Sequence, residues 1–296
     1  MKTDTSRGIQ AMVLSCIAFA SMWVMIRYAS RDVHAFEIVF FRNAIGTLWL
    51  LPMMLRNPGL IRRERLTANL RRATSGFIAT MGTFYAVSHA PMATVLSINY
   101  TAPLFATVGA VLFLGERIHI RRVLALAAGF VGMLIVLRPG AVPLTPGIIA
   151  AMISAVSTAF SIVAIRALVG KDDSRAVAAW SFILMTIPSF IAALPVWSWP
   201  PLHAWVLLVM IGGAAAIGQL TLSRAFALAE ASAVLPYDFV RFALIASFGI
   251  GLFGERLDGY TILGGTIIFA TTIYLAVREA KVARDARAAS LPEQPG

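Results

Sequence analysis

The apolar residues of this chain neither alternate nor recur at an amphipathic period. They run on in ten stretches, at about 8–29, 35–55, 73–90, 93–114, 121–138, 147–168, 176–196, 204–227, 233–253 and 259–277. A bilayer core about 30 Å thick is crossed by roughly 20 mostly apolar helical residues, so each stretch predicts one spanning helix. Strands of a membrane barrel would alternate over about ten residues, whereas these runs are continuous and twice as long. The gaps carry turn or cap residues: Arg56-Asn57-Pro58-Gly59, Arg138-Pro139-Gly140 and Gly170-Lys171-Asp172-Asp173. None is long enough for a soluble domain. The first stretch follows Lys2 and Arg7, as a signal peptide would. It is too long for an h-region and further spans follow, so it is expected to remain as a helix. Residues 279–296 are charged and then Pro-rich, which predicts a disordered cytoplasmic tail.

Composition agrees with lipid as the main solvent. Of the 296 residues, 59% are hydrophobic and 13% charged, against roughly half and a quarter in a soluble domain. So few charges cannot cover a water-facing surface, which excludes a soluble enzyme and a nucleic-acid binder. The net charge of +11 would otherwise suggest an acidic partner, but its distribution reads as topology. With the N-terminus inside, 19 of the 25 Lys and Arg residues fall in inner segments, 4 in outer ones and 2, Arg42 and Arg241, within spans. By the positive-inside rule both termini are expected in the cytoplasm of a multi-pass inner-membrane protein. Anionic lipid is the expected neighbour of the basic loops. Cys16 is the single cysteine, so no internal disulfide and no multi-cysteine metal or redox site is expected. No cofactor or metal is expected at all.

A shift of 139 positions lays the second half over the first. Gly8 falls on Gly147, Ser15 on Ser154, Arg27 on Arg166, and Gly115-Glu116-Arg117 on Gly254-Glu255-Arg256, without a gap. Five spans per half is an odd number, so the second half must enter the membrane from the opposite face. The predicted fold is an all-α integral membrane protein: ten transmembrane helices as two inverted five-helix repeats, residues 1–139 and 140–278. Such repeats are typical of secondary transporters, with the substrate site near the midplane at the repeat interface. A duplicated scaffold without transport is the plainer alternative.

On these residues the chain resembles the EamA-type family of the drug/metabolite transporter superfamily. The resemblance rests on Ala90-Pro91-Met92-Ala93, Gly115-Glu116-Arg117, Gly129-Phe130-Val131-Gly132 and Arg138-Pro139 in the first half. In the second it rests on Ala227-Leu228-Ala229-Glu230-Ala231-Ser232-Ala233 and Gly254-Glu255-Arg256. It implies ten helices in two halves and movement of small metabolites, often outward. Within the family, Pro236-Tyr237-Asp238 is similar to a subgroup that includes S-adenosylmethionine-uptake-like carriers.

An ionised side chain at membrane depth costs at least about 2.5–3.5 kcal/mol and is a functional candidate by default. Arg42, Asp238 and Arg241 qualify. Asp238 and Arg241 are three apart on one helix face and can pair. Arg42 has no partner on its own helix and must find Asp238, a backbone carbonyl, water or a substrate anion. The 139-residue shift places Asn99 on Asp238. Pro103 removes the helical donor to the Asn99 carbonyl, and Pro236 does the same to Ser232. Helices 4 and 9 are therefore the expected cavity-lining pair, since freed carbonyls at membrane depth need protein or water partners. Tyr100, Thr101, Tyr237 and Ser97 add hydrogen-bonding groups, and Tyr85 and Trp23 are further substrate-binding candidates. For each charged group a purely structural ion pair or interhelical tie is the alternative. His89 reads as an interfacial residue more than a proton carrier. Glu116 and Glu255 read as helix-end salt bridges or gate contacts. Gly212-Gly213-Ala214-Ala215-Ala216 reads as a close-packing stripe.

The expected function is a secondary transporter for a small polar or zwitterionic metabolite, such as an amino acid, exported by alternating access. Uptake of a nucleoside-like or vitamin-like solute such as S-adenosylmethionine is the second reading. Asp238 could bind a proton and couple transport to its gradient. A pump is disfavoured by the absence of a Gly-x-x-x-x-Gly-Lys-[Ser/Thr] loop. An intramembrane enzyme is disfavoured because His34, His89, His119 and His203 are scattered and form no His-Glu-x-x-His pairing.

Overall fold

The structure is a computed structural model that describes residues 5–57, 66–114, 120–138, 144–166, 174–229, 234–256 and 258–289. Eleven α-helices are present among them: α1 Thr5–Ala29, α2 Ala35–Arg56, α3 Leu66–His89, α4 Met92–Asn99, α5 Ala102–Leu114, α6 Ile120–Leu137, α7 Pro146–Arg166, α8 Ser174–Ala193, α9 Leu202–Leu228, α10 Phe239–Phe253 and α11 Gly259–Ala289. Short 3-10 turns at Leu194–Val196 and Leu235–Asp238 follow α8 and precede α10. The helices Thr5–Ala29, Ala35–Arg56, Ala178–Val196 and Leu202–Leu228 are long and apolar enough to cross a membrane. Leu48, Leu55, Ile187 and Leu202 turn outward, a surface suited to hydrocarbon rather than water.

Besides α3, which begins at Leu66 rather than at 73, the elements differ from the sequence expectation at three places. The span expected at 93–114 is two helices, α4 and α5, parted at Tyr100-Thr101. Pro103 is the cause, since its ring nitrogen cannot donate to Asn99. The Leu104 amide turns to the Thr101 carbonyl at 2.9 Å instead of Tyr100. The Tyr100 carbonyl this leaves free accepts from the Thr272 hydroxyl of α11 at 3.1 Å. The span expected at 233–253 opens with the 3-10 turn Leu235–Asp238 before α10 begins. Finally, α11 runs to Ala289, past the expected span end at 277 and into the stretch expected as a disordered tail. Residues 278–289 are rich in Ala, Arg, Lys and Glu, all strong helix formers. Gly115-Glu116-Arg117, Ser232 and Pro139 lie outside the described residues.

Helices of the first half pack on helices of the second. The main pairs are α1 with α9, α3 with α7, α2 with α8 and α9, and α6 with α11. Small residues permit the closest approaches. A Cβ on Gly264 would stand 2.5 Å from the Gly132 carbonyl oxygen, and one on Gly212 would stand 2.7 Å from Ile45 Cγ2. Both halves place a serine between the paired helices. Ser15 donates to the Gly218 carbonyl at 2.9 Å, and Ser154 to the Ala79 carbonyl at 2.7 Å.

One end of the bundle carries a set of polar ties. Arg27, in the last turn of α1, donates to the carbonyls of Val87 at 2.6 Å and Ala90 at 2.8 Å. It thereby caps the C-terminus of α3, where a cation suits the helix dipole. Its other nitrogen lies 3.4 Å from Glu255 Oε1, while Glu255 Oε2 accepts from the Met92 amide at 3.0 Å. Glu37 is fully buried yet satisfied. It closes the capping box of α2 on the His34 amide at 3.0 Å and accepts from the Ser198 amide at 2.7 Å. His203 meets Asp32 at 3.0 Å, and Arg138 pairs with Asp258.

Candidate functional site

Two separate charged sites lie within the bundle. The first is built on the break before α10. Asp238 Oδ2 pairs with Arg241 at 2.5 Å, from the end of the 3-10 turn to the first turn of α10. The Tyr100 hydroxyl donates to the Asp238 backbone carbonyl at 2.9 Å. The Arg241 guanidinium stands 5.7 Å from the Tyr100 ring centroid and 5.9 Å from that of Phe19, within cation–π range. The Cys16 thiol reaches Asp238 Oδ1 and the Tyr237 carbonyl, each at 3.6 Å. The cluster thus joins α1, the α4–α5 break and the start of α10. Its carboxylate and guanidinium largely satisfy one another.

The second site is built around Arg42 on α2. Among the described residues its one hydrogen bond goes to the neighbouring Asn43 Oδ1 at 2.7 Å, and Asn43 in turn donates to the Ser189 hydroxyl at 3.3 Å. The sequence reading found no partner on α2. Adjacent helix positions diverge, but the long arginine stem folds back far enough to reach a neutral amide. The guanidinium lies 4.8 Å from the Phe182 ring centroid and 6.0 Å from that of Phe84. Its Nε is buried without a partner. Arg42 lines a cavity of about 210 Å³ together with Gly76 and Thr80 of α3, Ser161 of α7, Trp180 and Phe182 of α8, and Gln219 of α9. Neither Asp238 nor Arg241 lines this cavity, so the three charged residues expected to share one chamber occupy two places.

The remaining candidates are distributed as follows. Asn99 donates to Thr83 Oγ1 at 3.4 Å, its side-chain oxygen Oδ1 is buried without a partner, and Thr83 meets Ser154 at 2.6 Å. Ala79, which accepts from Ser154, lines the Arg42 cavity. Tyr85 stacks on His89 at 4.1 Å between centroids. Trp23 is 6% exposed inside the main apolar cluster, and Tyr237 is 39% exposed. Thr80, Ser161, Trp180 and Gln219 were absent from the sequence candidates. Nothing in a single apolar run marks which polar residue faces a cavity. Among the described residues, no cluster of His, Cys, Asp and Glu could hold a metal ion.

Comparison with known proteins agrees with this architecture. The pattern of the EamA-like transporter family matches residues 6–138 and again residues 145–277, segments that begin and end 139 positions apart. An S-adenosylmethionine uptake transporter of Rickettsia bellii is 28% identical over 277 residues, covering 93% of this chain and 95% of that protein. A pseudopaline exporter of Pseudomonas aeruginosa is 30% identical over 275 residues, covering 91% and 95%. A riboflavin transporter of Vibrio cholerae is 27% identical over 294 residues, covering 97% and 98%. A solved structure 19% identical in sequence shares the fold, with a TM-score of 0.61 over 93% of this chain and 99% of its own. With its pattern matched across both halves, this chain belongs to the EamA-like transporter family.

Proposed function

We propose that the protein is a secondary carrier that moves a small polar or zwitterionic metabolite outward across the cytoplasmic membrane by alternating access. In this reading the halves 1–139 and 140–278 are inverted repeats, both termini face the cytoplasm, and the Arg42 cavity is the solute chamber. The observation that carries it is that cavity: a partly polar space holding a guanidinium that pairs with no carboxylate among the described residues, inside a bundle of transporter family. Functional cation sites of this kind are the usual reason for a charge at membrane depth.

The helix pairing supports the repeat. A shift of 139 carries α1 onto α7 and α3 onto α9, so the α1–α9 pair becomes the α7–α3 pair. The same shift carries α2 onto α8 and α6 onto α11, and each of these pairs is in contact. The cavity residues support access from one end. Gly76 lies roughly 20 Å along α3 from His89, at a rise of about 1.5 Å per residue, away from the ties made by Arg27 and Glu255.

The Rickettsia relative favours a second reading, uptake of a nucleoside-like solute. Metabolite profiling of cells that overproduce or lack the protein, followed by counterflow of the altered solute in liposomes, tests both. The expected result is saturable exchange, with outward accumulation in producing cells. Flux that never saturates and shows no counterflow is that of a channel and sinks the carrier.

A further inference from the structure

The Arg42 cavity has a definite charge character. Of its lining residues one is cationic and none is a carboxylate. Arg42 has a neutral partner, Asn43, and no ion pair with any described residue. Its Nε is buried and unpartnered. By contrast Arg241, the other guanidinium within the spans, already holds a carboxylate. A half-buried cation with no counter-ion stays costly until something of opposite charge arrives, and a planar guanidinium matches a carboxylate through two parallel hydrogen bonds. The remaining walls are half polar, from Thr80, Ser161 and Gln219, and half apolar, from Trp180 and Phe182. At about 210 Å³ the space is smaller than a drug-sized pocket of roughly 300–1,000 Å³.

We propose that this cavity is an anion-selective subsite in which the Arg42 guanidinium binds the carboxylate of a small organic anion or zwitterion, with the solute's apolar part against Trp180 and Phe182, and that it rejects solutes bearing only positive charge. The proposal rests on the carrier reading above and narrows its substrate class. A zwitterion enters by its carboxylate, while its ammonium group meets hydroxyl and amide oxygens rather than a counter-ion. The Asp238–Arg241 pair takes no part in recognition; it holds the break between α4 and α5 against α10.

Three probes of one shape separate the charges: 3-phenylpropionate, an anion; L-phenylalanine, a zwitterion; and L-phenylalaninamide, a cation at about pH 6, below the usual α-amino pKa. Binding to the purified full chain is read by titration calorimetry and by the shift in melting temperature. The expected order is phenylpropionate at least as tight as phenylalanine, with no binding of phenylalaninamide. In R42Q the phenylpropionate affinity is expected to fall at least about tenfold, as a charge-assisted bond is lost. Without probe, R42Q is expected to melt no lower than the parent, because removing an uncompensated charge relieves burial. R42K keeps the charge but loses the planar fork, and is expected to bind phenylpropionate several-fold more weakly. This second variant tests the proposal even if R42Q does not fold. Binding of the amide as tightly as the anion, no binding of phenylpropionate, or unchanged affinity in either variant overturns the proposal. If the cell-identified solute is exchanged in liposomes while phenylpropionate does not bind, the carrier reading stands and this inference falls. Absence of any exchange is the failure of the carrier reading alone.

Discussion

Ser15 and Ser154 stand 139 positions apart and do the same thing in opposite halves of the molecule. Ser15 donates to the carbonyl of Gly218 and Ser154 to that of Ala79, and those two acceptors are also 139 apart. Both hydroxyls are buried. S15A is expected to cost about 1 kcal/mol, the usual net value of one hydrogen bond, and S154A more, because Ser154 also meets Thr83 at 2.6 Å. Unfolding free energies in bicelles check this. No loss in either variant would show that the serine contacts do not hold the paired helices.

The Asp238–Arg241 pair should behave unlike Arg42. Removing one member of a buried pair leaves the other uncompensated, at a cost of roughly 3–5 kcal/mol. D238N and R241Q are therefore each expected to lower the melting temperature strongly, and the double variant to recover part of the loss. An additive double variant would mean that the two groups do not act as a pair.

Thr272 supplies the donor that the broken helix needs. T272V keeps the shape and removes the hydroxyl, leaving the Tyr100 carbonyl unsatisfied at a cost of about 1–3 kcal/mol. T272S is expected to retain most of the stability. Equal melting of T272V and the parent would show that another donor replaces it.

Glu255 and Asp258 are close in the chain and titrate in opposite directions. Burial pushes the Glu255 carboxyl above its ordinary value, more than the Met92 amide and Arg27 can offset. Its folded pKa exceeds its unfolded one, so its contribution is full below the unfolded value of 4.5 and is lost as pH rises through the folded value. For Asp258, burial is outweighed by hydrogen bonds from Thr261 and by Arg138, and the carboxyl is held below its ordinary value. Its contribution is present above the unfolded value of 3.8 and is lost as pH falls through the folded one. E255Q should therefore remove a loss of stability above about pH 4.5, and D258N a loss below about pH 3.8. Melting profiles of both variants against pH check the signs.

Much of the bundle was legible in the chain because lipid imposes one rule on every span: close the backbone hydrogen bonds and keep the exterior apolar. That rule marks where helices lie but not which side of each looks inward. Arg42, Asp238 and Arg241 were legible as charges out of place, and Asp238 and Arg241 as neighbours on one helix. That they divide between two sites was not, because it depends on how α2, α8 and α10 rotate against one another. Pro103 announced a lost hydrogen bond, yet not that the helix would part at Tyr100-Thr101 or that Thr272 would fill the gap. Trp180 and Gln219 gave no signal, since an aromatic or amide in an apolar run looks the same facing lipid, core or cavity.

The ties at the end of the bundle near Glu255 have a mechanical consequence. Arg27 and Glu255 lock α1 to the α3–α4 turn, Glu37 fastens α2 to the segment after α8, and Asp32 reaches His203 at the head of α9. Because each latch spans a different joint, loosening one leaves the others engaged. In the proposed carrier, opening at this end requires all of these ties to release together, which would make a leak through a half-open molecule costly.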